Sequence, residues 1–185
     1  MKKKIVIGLV GETGSGKDTV ADYLKRKYDV HLLRFSLPLK KALKFFFESP
    51  KKSDQSWLYQ VFKERFGEEI LHLGIKRFIE QHNGIMCING LRMPKDFEFV
   101  KSLENSYVIY ITADQKLRWQ RAYCRGEKAD DKQCFGDFQE FEANAETEKA
   151  VPEIGSQADF MIKNESTMDY LLTEVDKAME EILKD

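Results

Sequence analysis

Seven residues near the start of the chain carry its most specific chemistry. Gly11, Glu12, Thr13, Gly14, Ser15, Gly16 and Lys17 fit the spacing G-x-x-x-x-G-K. Glycines in such a loop admit backbone angles that side chains resist, so successive N–H groups can converge on one anion. A helix that begins at Lys17 aims its positive end at the same point. The Lys17 ammonium adds a full charge, suited to the β- and γ-phosphates of a nucleoside triphosphate. Binding of ATP by the loop from Gly11 to Thr19 is therefore the first expectation. Where Ser or Thr usually follows the lysine to reach Mg²⁺, this chain has Asp18, with Thr19 next. Magnesium favours hard oxygen ligands and keeps several waters, so Asp18 is a candidate metal ligand, directly or through water. The other reading is that Asp18 only caps or solvates the helix start.

The loop needs a strand before it and a helix after it. Ile5 to Val10 is a nearly continuous apolar run, the pattern of a strand buried on both faces of a parallel sheet. Val20, Ala21, Leu24 and Tyr28 then recur at helical spacing. Further strands are predicted at 30–35, 85–89, 107–112 and 160–162. Helices are predicted from Pro38, in two stretches between 54 and 83, over 94–103, from an Asp114 cap to about Arg125, and around Phe135, Phe138 and Phe141. A terminal amphipathic helix follows a capping-box pattern at Ser166 to Asp169. Alternating strands and helices imply an α/β fold with a parallel sheet covered on both faces and a ligand at the carboxyl ends of the strands. Three helical segments between two strands, over 36–83, exceed one crossover. They are the natural substrate-binding insert, unless they form only a longer crossover that covers the sheet.

Composition narrows the function classes. The 185 residues suit one domain, and a net charge of −1 lacks the basic excess of a nucleic-acid binder. No stretch approaches the roughly 18 apolar residues of a membrane span, and the apolar run after Lys2, Lys3 and Lys4 is too short for a signal peptide. Cys87, Cys124 and Cys134 form no C-x-x-C pair, which points to reduced thiols in a cytoplasmic protein. His31, His72 and His82 are scattered and read as surface or ordinarily packed histidines. Oligomeric state is not legible.

Gly14 to Leu24, G-S-G-K-D-T-V-A-D-Y-L, resembles the phosphate loop and helix of phage-type P-loop deoxynucleoside monophosphate kinases, which also place Asp and Thr after the lysine. Arg34 to Lys40, R-F-S-L-P-L-K, and Gly90 to Asp96, G-L-R-M-P-K-D, are similar to that family's segments after its second and third strands. The order from Asn89-Gly90-Leu91-Arg92 through the Arg118 to Arg125 helix to Ala158-Asp159-Phe160 and Asn164 also resembles archaeal adenylate-kinase-related and dephospho-CoA-kinase-like proteins. The resemblance implies a three-layer αβα sandwich of the P-loop NTPase type, one domain over 1–185, with 36–83 as a helical acceptor-binding insert and 124–137 as a short lid.

It also implies an activity: transfer of the γ-phosphoryl group of Mg²⁺-ATP to a (deoxy)nucleoside monophosphate. Arg34 and Arg92, at the ends of the second and third strands, are candidate ligands of the acceptor phosphate, since a guanidinium fork fits a monophosphate bidentately. Lys40 and Lys41 are weaker candidates of the same kind. Arg118, Arg121 and Arg125 fall on one helical face. In the family such arginines border the lid, so Arg121 and Arg125, with Lys17 and Arg92, are implied to act on the transferring phosphoryl group, and Arg118 and Asn164 to contact ATP. The competing reading for each arginine is a basic, solvated helix face. Glu140, Glu142 and Glu146 are expected on a solvated helix. One departure matters: the third strand ends in Asn89, where the archaeal relatives have an acid. Either Asp18 supplies the missing charge, or chemistry is impaired and nucleotide binding remains. Two alternatives thus stay open, a kinase acting on dephospho-CoA or another phosphorylated metabolite, and a nucleotide-binding regulator.

Overall fold

In the computed structural model, residues 4–49, 51–126 and 132–184 are described, Lys52 by its backbone alone. Five strands form one all-parallel sheet: β1 (Ile5–Val10), β2 (His31–Leu33), β3 (Ile85–Leu91), β4 (Ser106–Thr112) and β5 (Phe160–Lys163), in the order β2-β3-β1-β4-β5. The helices are α1 (Lys17–Tyr28), α2 (Leu37–Lys44), α3 (Lys52–Phe66), α4 (Ile70–Gln81), α5 (Pro94–Lys101), α6 (Gln115–Arg125), α7 (Phe135–Asn144), α8 (Glu146–Lys149), α9 (Val151–Ser156) and α10 (Met168–Lys184).

The central strand β1 explains the layering, because successive side chains of a strand point to opposite faces. Ile5, Ile7 and Leu9 pack with Val20, Leu24, Val175, Met179 and Ile182, under α1 and α10. Val6 and Val10 pack with Ile75, Ile79, Val100, Val151 and Ile154, under α4, α5 and α9. Both faces are covered, which is why β1 reads as an unbroken apolar run. Each such fully buried aliphatic side chain contributes about 1.5–3 kcal/mol. The three-layer αβα architecture inferred from the sequence is the one observed.

Some boundaries differ from expectation. The edge strand β2 is only three residues long. β3 continues past Asn89 to Leu91, because Gly90 takes a φ of 93° and the pairing with β1 shifts there, so that Leu9 faces Asn89 but Val10 faces Leu91. That bulge turns the strand end and delivers Arg92 to the loop side. Thr167, rather than Ser166, caps α10, its Oγ1 accepting from the Tyr170 N–H at 3.2 Å. Asp114 caps α6 as predicted, accepting from the N–H groups of Lys116 and Leu117.

Three helices, α2 to α4, do stand between β2 and β3. α4 buries Ile75 and Ile79 and α2 buries Leu39 and Leu43, whereas Trp57, Val61 and Phe66 of α3 are exposed. Of the predicted lid over 124–137, residues 127–131 lie outside the described residues. Its flanks are drawn together by Trp119, whose indole N–H donates to the Gln133 carbonyl at 3.0 Å, and by Lys132, which donates to the Tyr123 carbonyl at 2.9 Å.

α1 and α10 are pinned by one carboxylate. Asp176 accepts from Tyr23 and Tyr28 hydroxyls, each at 2.8 Å, and from Lys27 Nζ at 2.6 Å. Burial pushes the Asp176 carboxyl up, but hydrogen bonds from Lys27, Tyr28 and Tyr23 outweigh it and hold the group below its ordinary value. A depressed carboxyl stabilises the fold above its unfolded pKa and loses that contribution as pH falls through the folded one. Burial first, and the bond to Asp176 second, push the Tyr28 hydroxyl up to about 12, so its contribution fades as pH rises from about 10 toward that value. Asp176→Asn is therefore expected to lower the urea midpoint at pH 7. Its deficit against the wild type should shrink below about pH 4, as read by paired denaturation curves.

Candidate functional site

The loop between β1 and α1 closes over a cleft at the carboxyl ends of the strands. Gly14 and Gly16 have φ of 80° and 96°, in the left-handed region. Neither could carry a side chain: a Cβ on Gly14 would stand 2.2 Å from the Arg118 carbonyl, and one on Gly16 would stand 2.4 Å from Asn164 Nδ2. The predicted loop thus has the backbone that an anion cradle requires. Lys17, at the head of α1, is 8% exposed.

Two recesses open on this loop. The larger, about 430 Å³, is lined by Glu12, Thr13, Gly14, Gly16, Lys17, Asp18, Thr19, Arg92, Arg121, Arg125 and Asn164, with Ser166 and Met168 at its rim. The smaller, about 250 Å³, is lined by Lys17, Asp18, Arg34, Asn89 and Arg92, with Phe35, Ser36 and Gly90. Lys17, Asp18 and Arg92 belong to both.

Asp18 is the hub of the smaller recess. Its Oδ1 accepts from Arg34 Nη2 at 2.9 Å and from Asn89 Nδ2 at 2.8 Å, with Lys17 Nζ at 3.7 Å. The strand-end residue that lacks a charge is therefore bonded to the residue proposed from sequence to supply one. Asn89 is 5% exposed, and its Oδ1 has no hydrogen-bond partner among the described residues.

Arg92 follows the bulge of β3. Burial lowers its guanidinium from its ordinary value, while Asp18, Glu12 and Glu142 favour the charged form. Its Nη1 donates to Glu148 Oε1, and Glu148 Oε2 accepts from the N–H and hydroxyl of Thr13, both at 3.4 Å. Glu148 is 6% exposed and ties the phosphate loop to Arg92. It has no sequence motif, and α8 has no apolar periodicity to announce it. A carboxylate on a loop N–H and a cleft arginine competes for the donors that a phosphate takes. Glu148→Gln is expected to tighten ATP binding by about tenfold, at the worth of one hydrogen bond to a charged group, as read by calorimetric titration.

Of the three arginines on α6, the structure separates one. Arg121 and Arg125 line the larger recess. Arg121 Nη1 donates to the Asn164 carbonyl at 2.9 Å, and burial lowers its guanidinium, against Glu165. Arg118 turns inward instead. It is 6% exposed, donates from Nε to the Ala113 carbonyl at 3.0 Å and from Nη1 to the Thr13 carbonyl at 3.3 Å, and pairs with Glu142. It braces the phosphate loop from behind, and Glu142 is not on a solvated face as expected, whereas Glu140 and Glu146 are exposed. Asn164 also braces: its Nδ2 donates to the Ser15 carbonyl at 2.8 Å, and it reaches the larger recess.

Lys40 and Lys41 line neither of the two recesses, although Lys40 shares a neighbouring hollow with Arg34 and Ser36 of the smaller one. Lys40 is exposed beside Leu32 and Leu37, and Lys41 sits over the Phe78 ring at 4.8 Å. Within the loop, Glu12 is 8% exposed; its Oε1 accepts from the hydroxyls of Tyr110 and Thr112, and its Oε2 has no partner among the described residues. Cys87 is buried, and burial pushes its thiol up to about 12, so it is no nucleophile.

Hard oxygens for a divalent ion are present at the head of α1, where Asp18 and Thr19 line the cleft beside Lys17. No group of three His, Cys, Asp or Glu side chains is placed to hold a metal among the described residues. That donor set fits Mg²⁺, which takes one or two protein oxygens and draws the rest from phosphates and water.

No family model matches the chain. The chain is 24% identical to a UPF0200 protein of Sulfurisphaera tokodaii over 183 residues, 96% of this chain and 97% of that one. Among solved structures it is similar to the shikimate kinase of Bacteroides thetaiotaomicron, with a TM-score of 0.65 at 15% identity, covering 98% of this chain and 99% of that chain. It is also similar to a gluconokinase of Sinorhizobium meliloti 1021, with a TM-score of 0.55 at 10% identity, covering 98% and 95%. Kinases named for two different acceptors share this architecture, so the likeness carries the fold and leaves the acceptor, and the monophosphate-kinase subfamily, unassigned. The chain has the same three-layer αβα fold as these solved structures.

Proposed function

We propose that this protein transfers the γ-phosphoryl group of Mg²⁺-ATP to a small phosphorylated acceptor, in the first place a (deoxy)nucleoside monophosphate. The observation that carries the reading is the pair of recesses meeting at Lys17, Asp18 and Arg92. Phosphoryl transfer requires a donor and an acceptor held in line, with charge neutralised between them. The larger recess, over the phosphate loop, takes ATP. The smaller takes the acceptor, whose phosphate meets Arg34 and Arg92.

Catalysis in this scheme is positioning and electrostatics. Loop N–H groups and Lys17 hold the β- and γ-phosphates. Arg92, which reaches both recesses, neutralises charge between donor and acceptor, and Arg121 and Arg125 do so from the lid side. Asp18 and Thr19 would hold Mg²⁺, which supplies charge neutralisation on the phosphates when bound. The helices over 36–83 and the segment over 124–137 act as acceptor-binding insert and lid, excluding water as they close.

A second reading keeps the kinase and changes the nucleophile. A carboxylate such as Asp18 at the acceptor recess suits an acceptor hydroxyl better than an acceptor phosphate, which favours dephospho-CoA or another phosphorylated alcohol. Thermal unfolding with a non-hydrolysable ATP analogue and a panel of monophosphates and dephospho-CoA separates the two. A ligand at about 100 times its Kd stabilises the folded state by about 2.7 kcal/mol. A shift with a monophosphate supports the first acceptor class, a shift with dephospho-CoA alone supports the second, and no shift with any of them counts against both.

A further inference from the structure

His72, on α4, touches both walls of the smaller recess indirectly. Its Nε2 lies 2.9 Å from Asp96 Oδ1, and both side chains are 13% exposed. An ionised carboxylate only accepts, so Nε2 carries the proton. The other Asp96 oxygen, Oδ2, accepts from the backbone N–H groups of Arg92 and Met93, both at 3.1 Å. The His72 ring also packs edge-on against Phe35, with centroids 4.9 Å apart at 77°, and against Phe99 at 4.9 Å. Phe35 lines the smaller recess next to Arg34.

One imidazole thus joins three elements: the helix between β2 and β3 that carries it, the chain after β2 that carries Arg34, and the turn after β3 that carries Arg92. The two guanidiniums approach the recess from separate strand ends and, carrying donors only, cannot hydrogen-bond to each other. A phosphate gripped by both needs their spacing fixed, and a displacement of 1 Å at such a site is costly. Asp96 alone, in the first turn of α5, would reach back to the Met93 and Arg92 N–H groups and hold the Arg92 turn. The bond from His72 adds a fixed distance from that turn to α4 and to Phe35.

From this we infer that His72 is a positioning residue for the acceptor recess, acting through Asp96 on Arg92 and through Phe35 on Arg34. The inference rests on the proposed function only in naming the recess an acceptor site; the placement of Arg92 is a property of the fold.

The test compares His72→Leu, which fills space without a donor, with His72→Gln, whose Nε2 can donate to Asp96 from nearly the same place. Amide hydrogen exchange over 91–96 is expected to quicken about tenfold in His72→Leu, the worth of one buried hydrogen bond to a charged group, and to return near the wild-type rate in His72→Gln. Exchange in the phosphate loop should stay within about twofold in both. Steady-state assays with ATP and AMP or dAMP should show the acceptor KM raised about tenfold in His72→Leu and restored in His72→Gln, with the KM for ATP held. Wild-type exchange over 91–96 in His72→Leu would overturn the inference. So would equal quickening in both variants, or equal losses for ATP and acceptor. If no acceptor is turned over at all, the exchange measurement still decides the role of His72, and the kinase reading alone fails.

Discussion

Lys17→Met is expected to lower acceptor-dependent turnover about 10³-fold, the loss that follows removal of one strong preorganised donor from a site of developing charge. At 1.36 kcal/mol per tenfold, that is about 4 kcal/mol of transition-state stabilisation. The physical reason is placement. Lys17 is 8% exposed at the junction of the two recesses, so its ammonium acts on phosphates with little water between them. Methionine keeps most of the length and the apolar stem of the side chain and removes the ammonium, with its charge and its donors. A thermal midpoint within a few degrees of the wild type would show an intact fold. Single-turnover rates with saturating ATP then read the chemical step, and a loss confined to KM would contradict the role assigned to Lys17.

The second large effect concerns the absence of an acid at Asn89 of β3. Asp18→Ala is expected to lower magnesium-dependent turnover by about 10² to 10³, in the range found for loss of one electrostatic contact in a transition state. Asn89→Ala should cost about tenfold or less, because Asn89 only donates to Asp18 and Asp18 keeps Arg34 and Lys17 beside it. Initial rates across a magnesium titration check both. Unchanged turnover in Asp18→Ala would sink the idea that Asp18 stands in for the strand-end acid. Arg34 sharpens this prediction: without the carboxylate, its guanidinium loses the partner that holds it at the recess edge.

The phosphate loop was legible because the features that announce it are local. A buried strand, two glycines with positive φ, a lysine and an amphipathic helix occur within one stretch of chain, although Arg118, Asn164 and Glu148 brace the loop from elsewhere. The placement of Arg34 and Arg92 at the smaller recess was legible for a related reason, since the strand ends of a parallel sheet open onto the cleft. What was not legible depends on distant chain. Thr13 and Glu148 are 135 residues apart, and His72 meets Asp96 across 24. Neither pair has a motif, because a single hydrogen bond between elements imposes no spacing on either sequence.

Arg118 shows the limit of helical periodicity. Spacing puts Arg118, Arg121 and Arg125 on one broad face, but it does not say which edge of that face meets the next helix. Glu142 of α7 captures Arg118, and of the three α6 arginines Arg121 and Arg125 line the recess. The same blindness hid the burial of Glu142, whose neighbours in sequence are exposed. The extension of β3 past Asn89 escaped detection because Gly90 reads as a strand end, whereas its positive φ here makes a bulge within the strand.

Lys17, Asp18 and Arg92, shared by both recesses, are the place where ATP and a second small molecule are proposed to meet. The most direct measurement is phosphorus NMR of the wild-type protein with Mg²⁺-ATP, run with each monophosphate in turn and with dephospho-CoA. Phosphoryl transfer predicts that one acceptor drives conversion of ATP to ADP with an equal gain of phosphorylated acceptor. ATP bound tightly, with ADP formation unchanged by every acceptor, would contradict it and leave the loop as part of a nucleotide-binding regulator.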